Sequence, residues 1–491
     1  MRRTLGFALG MIGLMAAAHA GDLDLPLKAP PLKDPLPDSL SWQGFTFYAT
    51  VDLGYAYQTN GRPLGSVVSG LEFIPFTTTR NYTGQTVSTI AHSGLEQSKA
   101  GVKFEREIGY NWALLADFGT GFNPLSGKLS DGCSSFIQNA GVPYAQQTSN
   151  ADSGRCGQTF NGPAYGGVSN PTYGTLTVGR QNTFQLDGIA AYDPMALSYA
   201  FSLLGYSGTN AGSGTTQSAR WDNSAKYVYR YGPVHAGFMY SEGGDTTGMF
   251  GKGFGFNVGG SYRGFSLDGV YTREHGAVGL QSAVNDPLST RTLAANISDN
   301  EGWSLLGKYT HAFAGSRDED PRAKLTFYGG YTHIDQSNPQ NPVLFGSAAG
   351  GYPLTLGPGL PDNDAFTADR ILQYFWTGAK YELPSGWSFT GAYYHANQNS
   401  FVADHKPCVA GGASKTDCAG NFDQVSFLAD YQITKHFDVY AGVTYARVTN
   451  GLASGFPGTP GAVASLGPAG TVGTATSVNT TSLMTGVRMR L

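Results

Sequence analysis

From Phe45 onward, apolar and polar residues take turns one by one. In the first such stretch Phe45, Phe47, Ala49, Val51, Leu53, Tyr55 and Tyr57 share one face, and Thr46, Tyr48, Thr50, Asp52 and Gly54 the other. A period of two is that of an extended strand, whose side chains point alternately to opposite faces. The pattern returns over Trp112–Phe118, Phe254–Tyr262, Phe265–Tyr271, Trp303–Tyr309, Trp387–Tyr393 and Phe437–Tyr445. Several stretches carry an aromatic at each end of the apolar face, as in Trp112/Phe118, Phe265/Tyr271, Trp303/Tyr309 and Trp387/Tyr393. Such a pair spans about 20 Å along a strand.

The pattern predicts about 16 strands, an even number as in bacterial outer-membrane barrels. They fall near 45–57, 97–106, 112–120, 162–169, 174–180, 221–230, 233–241, 253–262, 265–273, 302–311, 323–333, 371–381, 387–395, 422–431, 437–447 and 480–491. Short connections, such as Glu107–Asn111, Arg263-Gly264, Glu382–Gly386 and Gln432–His436, alternate with long ones. This is the rhythm of a transmembrane antiparallel β-barrel, with short periplasmic turns and long outer loops. A water-soluble sandwich would need a second sheet to cover so many apolar faces.

Composition supports the barrel. Charged residues make up 13% of the chain, about half the share of an ordinary soluble domain, while 69 of 491 residues are Gly and aromatics reach 13%. The formal charge of −4 argues against nucleic acid as a partner. The rhythm continues to the last residue without a break, so 45–491 reads as one barrel. Residues 1–20 read as a signal peptide. Arg2 and Arg3 precede an apolar stretch from Leu5 to Ala18, and Ala18-His19-Ala20 fits signal-peptidase cleavage. As a membrane anchor the stretch is too short for ~30 Å of hydrocarbon. Residues 21–44 form a proline-rich segment, with Pro26, Pro30, Pro31, Pro35 and Pro37 favouring an extended periplasmic spacer.

Four cysteines fall in pairs within two predicted loops, Cys133 with Cys156 and Cys408 with Cys418. Four cysteines allow three pairings. Pairing within each loop requires no contact between loops and suits an oxidising compartment. No C-x-x-C or His cluster accompanies them, so no metal site is expected. Asp318-Glu319-Asp320 lacks EF-hand spacing, and no Ser or Cys is nominated as a nucleophile beside a His. No cofactor and no enzymatic activity are expected. A plugged transporter would need a globular domain before the first strand, and residues 21–44 are too few for one.

With the strands in place, the sequence resembles the general trimeric porins of Gram-negative bacteria, the neisserial-type porin family. The resemblance lies in the first strand, Phe45–Asp52, in Ser98-Lys99-Ala100-Gly101-Val102-Lys103-Phe104-Glu105, in Gly174-Thr175-Leu176-Thr177-Val178-Gly179-Arg180-Gln181, and in Arg220-Trp221-Asp222-Asn223-Ser224-Ala225-Lys226-Tyr227. It covers about residues 42–491. Three features depart from the family pattern: the chain ends in Leu491 rather than Phe, the third loop lacks a run of acids, and Gly162-Pro163-Ala164 stands where a basic residue is usual.

The resemblance implies a water-filled outer-membrane channel for ions and small hydrophilic solutes, set among outer-membrane lipids and lipopolysaccharide as a homotrimer. It implies further that the connection over about 181–220 folds into the barrel and narrows it. That loop brings Asp187 and Asp193, and Lys99, Lys103 and Arg220 are expected on the facing wall. Arg180 is a fourth basic candidate, although strict alternation turns it away from the lumen. Lumen charges are cheap in a water-filled pore, whereas a charge facing lipid at the midplane costs about 2–4 kcal/mol. With three wall bases facing a loop poor in acids, a weak preference for anions is expected.

Overall fold

The computed structural model describes residues 40–61, 85–127, 129, 159–204, 219–243, 251–280, 295–313, 323–342, 348–349, 352–353, 361–362, 366–401, 419–450 and 477–491. The expected signal peptide, most of the proline-rich segment and all four cysteines therefore lie outside the described residues.

A short strand, Leu40–Trp42, folds back on β1 (Phe45–Gly61) through Gln43 and Gly44, both at positive φ. Then follow β2 (Gln85–His92), β3 (Lys99–Gly109), β4 (Trp112–Gly121), β5 (Ala164–Asn170) and β6 (Gly174–Asn182). A helix, α1 (Phe184–Tyr192), precedes β7 (Arg220–Tyr231), β8 (Val234–Glu242), β9 (Lys252–Tyr262), β10 (Phe265–Leu280) and β11 (Ala295–Ala312). The last strands are β12 (Lys324–Ser337), β13 (Arg370–Glu382), β14 (Trp387–Gln398), β15 (Gly420–Gln432), β16 (Phe437–Asn450) and β17 (Ser477–Arg490).

Neighbours in the wall run antiparallel, with β2 and β3 both paired to β1, and β17 returns to β1 in a register from Thr50↔Arg490 to Gln58↔Ser482. β2 and β3 share one place in the wall, so the described residues form a closed barrel of 16 strands, the expected number. Arg263-Gly264 makes a two-residue hairpin turn with both residues at positive φ (48° and 85°), the twist that matches flanking strands.

The alternation sorts the two faces as expected. Phe47, Tyr55, Leu114, Val178, Phe238, Phe256, Leu267, Leu305, Phe327 and Phe427 are exposed on the outside. Between them Asp52, Thr272, Ser304, Thr332, Ser426, Thr444 and Ser482 are buried on the inside. A continuous apolar belt of this size is stable against lipid and would be an aggregation surface in water.

Two wall elements differ from the pattern in the sequence. β11 and β12 are longer than the alternation indicates, because their extra turns of strand carry inward polar residues such as Ser298, Asn300 and Gln336. The second place in the wall is also interrupted. β2 pairs with the upper part of β1 (Leu53↔His92), β3 with the lower part (Thr50↔Lys99), and Ser93–Ser98 leave the ladder between them.

Candidate functional site

Beyond β6 the chain turns into α1. Thr183 caps the helix, its Oγ1 accepting from the Leu186 N–H (3.2 Å), and Asp187 in the first turn suits the positive end of the helix dipole. The helix lies on inward residues of β10, β11 and β13. Gln185 Nε2 donates to Ser304 Oγ (2.7 Å), Tyr192 OH to Asp268 Oδ2 (2.5 Å), Trp376 Nε1 to the Tyr192 carbonyl (3.0 Å) and Lys308 Nζ to the Ala191 carbonyl (2.9 Å). Gly188 permits this approach, since a Cβ there would stand 2.8 Å from Leu306 Cδ1.

Asp193 ends the helix and organises the next turn. Its carboxylate accepts the N–H groups of Met195 (3.2 Å) and Leu197 (2.7 Å) and the Tyr394 hydroxyl (2.5 Å). Burial pushes this carboxyl up from the usual range, while hydrogen bonds from Ser202, Tyr394 and the two amides pull it down. The following residues continue along the wall. Gln424 Nε2 donates to the Phe201 carbonyl (2.9 Å) and Thr444 Oγ1 to the Ala200 carbonyl (3.2 Å). Phe201 meets Tyr440 edge-on, with ring centroids 6.3 Å apart, and rests where Gly442 has no side chain. Phe184, Ile189, Tyr192, Met195, Phe201, Leu203 and Leu204 share one buried apolar cluster with Leu306, Trp376, Tyr394 and Tyr440 of the wall.

A different surface faces inward from β1, β3, β4 and β7. Tyr48 OH donates to Asp117 Oδ1 (2.9 Å), and Lys103 Nζ stands 5.4 Å from the centre of the Tyr48 ring. Lys103, Lys99 and Arg220 all lie near enough to Asp117 to act on its charge. Arg220 Nε is buried without a hydrogen-bond partner among the described residues. Lys226 Nζ pairs with Asp187 Oδ2 (2.5 Å) and also donates to the Asn182 carbonyl (3.0 Å). The chemistry available here is electrostatic: several bases close to one carboxylate. Among the described residues, no group of three or more His, Cys, Asp or Glu could hold a metal ion.

A profile of the Gram-negative porins matches residues 8–451. The chain belongs to this family. No curated protein sequence matches it. Among solved structures, this porin is similar to an anion-selective porin from Comamonas acidovorans, at 13% identity over 91% of this chain and 99% of the other, with a TM-score of 0.53. It is also similar to OmpT, an outer membrane protein of Vibrio cholerae, in its trimer form. That match has 14% identity over 91% of this chain and 99% of the other, with a TM-score of 0.51. At these identities the likeness establishes the shared fold.

The porin brings some of the sequence-derived residues together and separates others. Lys99, Lys103 and Arg220 gather around Asp117. Asp187 joins Lys226 rather than standing alone. Arg180 is buried, pairing with Asp222 (2.6 Å) and donating to the carbonyls of Gly162 (3.0 Å) and Asn161 (2.8 Å). Beside it the ladder to β7 is bulged, since Gly179 pairs with Ser224 and Gln181 with Trp221, which leaves the extra residue in β7, and Gly179 takes φ 131°. Asp193 is 3% exposed and held by the contacts above. Tyr48, the partner of Asp117, was not among the sequence candidates. Its inward position in the alternation marked it as lumen-facing, but no charge drew attention to it.

Proposed function

We propose that this outer-membrane porin admits ions and small hydrophilic solutes by passive diffusion, past a constriction formed between Phe184–Leu204 and the wall bearing Lys99, Lys103 and Arg220. The single observation that carries this reading is the placement of Phe184–Leu204 on inward side chains of β10–β16, opposite the exposed apolar face. In a barrel filled with water elsewhere, a segment so placed occupies part of the cross-section. Arg180 and Asp193 then shape the constriction from buried positions instead of meeting the solute.

The reading includes a weak preference for anions. Asp187 is neutralised by Lys226 and Asp193 is sealed from water, so the loop offers little negative charge against the wall bases. Reversal potential across a planar bilayer under a KCl gradient tests it. The expected sign is anionic and weakens as salt rises; a cationic sign refutes it. Replacing Lys99 and Arg220 together with Gln shifts the potential toward cations.

The same proposal assigns the chain to the neisserial-type subfamily, on the motifs around Phe45, Lys99, Arg180 and Arg220, and assembles it as a homotrimer among outer-membrane lipids and lipopolysaccharide. The trimer form of the Vibrio cholerae relative supports assembly. Migration as a monomer on native gels in mild detergent counts against it. Residues 1–20 serve as a cleaved signal, 21–44 as a periplasmic spacer, and Cys133–Cys156 and Cys408–Cys418 as loop disulfides. Non-reducing peptide mapping tests the last of these.

A further inference from the structure

The interruption between β2 and β3 is itself a built structure. Ser93–Ser98 leave the wall opposite Val51 and Asp52, and Asp52 holds them from beneath. Its carboxylate, 0% exposed, accepts the N–H groups of Leu95 (2.7 Å) and Glu96 (3.0 Å) and the hydroxyl of Tyr440 (2.6 Å). The Asp52 N–H donates to Ser98 Oγ (3.1 Å), and its carbonyl accepts from the Ser93 N–H (2.9 Å). Ser93 Oγ accepts from the Ser98 N–H (3.0 Å), which closes the tongue on itself. At its tip the Gly94 carbonyl accepts from Ser198 Oγ (2.8 Å) and from the Ala200 N–H (2.9 Å). The tongue thus meets the far end of the segment that begins at α1. A Cβ on Gly94 would stand 2.4 Å from the Tyr440 hydroxyl, so no larger residue fits that tip unchanged.

The anchoring uses main-chain groups and leaves the Glu96 side chain to other partners. Glu96 Oε1 takes Lys99 Nζ at 2.5 Å, and Oε2 stands 3.6 Å from Arg488 Nη1. Arg488 is already engaged by Asp438 (3.2 Å). Lys99 and Glu96 are partly open to solvent, with 41% and 30% of their side chains exposed. Beside Asp117 of the wall, the tongue thus brings a second acid to the wall bases, one that pairs directly with Lys99.

We propose that Ser93–Ser98 form a second constriction element and that Glu96 is a selectivity-determining residue, the internal counter-charge that keeps the anion preference of the pore weak. This rests on the constriction reading above. The length of the tongue fixes the position of the charge: Asp52 sets Leu95 and Glu96 in place, and the Glu96 carboxylate reaches the base at the start of β3. Removing the charge releases Lys99 to act on passing ions. The size expected is that of one unit charge acting through roughly 8 Å of water, or about a two-fold change in permeability ratio.

The experiment measures the reversal potential of the full-length porin, Glu96→Gln, Glu96→Asp and Glu96→Gln/Lys99→Gln in the same KCl gradient. Glu96→Gln is expected to raise the anion-to-cation permeability ratio about two-fold. Glu96→Asp should stay near the unaltered protein, and the double variant should return toward it as the lost charges cancel. An unaltered potential in Glu96→Gln, with conductance intact, overturns the proposal while leaving the channel and its wall bases standing. A cationic potential in the unaltered protein instead overturns the constriction reading. Should Glu96→Gln fail to give a heat-modifiable barrel on gels, the side chain is needed for folding. Glu96→Ser then decides: a folded pore with a raised anion ratio supports the proposal, and failure of both variants to fold overturns it in favour of a structural role.

Discussion

The inner face of β10–β16 and the inner face of β1, β3, β4 and β7 are built on the same alternation, yet they meet different neighbours. The first is covered by Phe184–Leu204 and presents Leu306, Trp376, Tyr394 and Tyr440 to that segment. The second carries Tyr48, Lys99, Lys103, Asp117 and Arg220, a charged side on which Lys103 is exposed and Asp117 buried. Inward residues in a barrel are not polar by rule; they match whatever fills the space before them. Large apolar side chains on an inner face mark where chain is packed, and paired charges mark where water remains.

Breaking the covered side is expected to have the largest effect. Phe201→Ala empties the site over Gly442 and beside Tyr440, with a loss of about 3–5 kcal/mol for a buried aromatic. A lower temperature for the gel-mobility shift and a noisier, larger single-channel conductance are expected. Unchanged conductance would show that the segment does not limit the pore. Next comes Tyr394→Phe, which strips one donor from the buried Asp193 carboxylate and costs about 1–3 kcal/mol. Urea unfolding followed by tryptophan fluorescence measures this, and the variant should keep its ion preference.

The charged side is expected to respond in selectivity rather than stability. Asp187→Asn removes the partner of Lys226 and should shift the reversal potential toward anions. Asp187 is 45% exposed in that pair, so the change in stability should stay within about 1 kcal/mol. A shift toward cations would mean that Lys226 is not freed into the pore. A Phe201→Ala/Asp187→Asn double variant sharpens the comparison, because the two side chains of this segment meet different strands, at Tyr440 and at Lys226, and their effects should add.

The wall was legible in the sequence because a period of two admits few other readings. The strand ends were less so where inward polar residues, as in β11, carry no apolar alternation. The site was legible in part. Lys99, Lys103 and Arg220 followed from family motifs, and they gather around one carboxylate. Arg180 illustrates the limit: it is buried against Asp222 and the carbonyls of Gly162 and Asn161 beside a bulge in β7, contacts that a strict count along its own strand cannot register. The Ser93–Ser98 tongue was hidden for another reason. Its hydrogen bonds run to Asp52 and to Ala200, distant positions that no local pattern connects.

The seam between β1 and β17 sets the order in which this molecule can be completed. Gln58 Nε2 donates to Ser482 Oγ across 424 positions of chain, and the N–H of Leu491 donates to the Ala49 carbonyl (2.9 Å). The end of β17 is thus hydrogen-bonded to the first full strand. Until it arrives, β1 and β16 each present a bare edge, and the apolar belt has no lipid to meet. Contacts so far apart in the chain form slowly, since long loops must close before they are rewarded. The polypeptide must therefore remain uncommitted throughout its passage to the membrane, and a nascent fragment lacking Ser477–Leu491 is an open sheet with two adhesive margins.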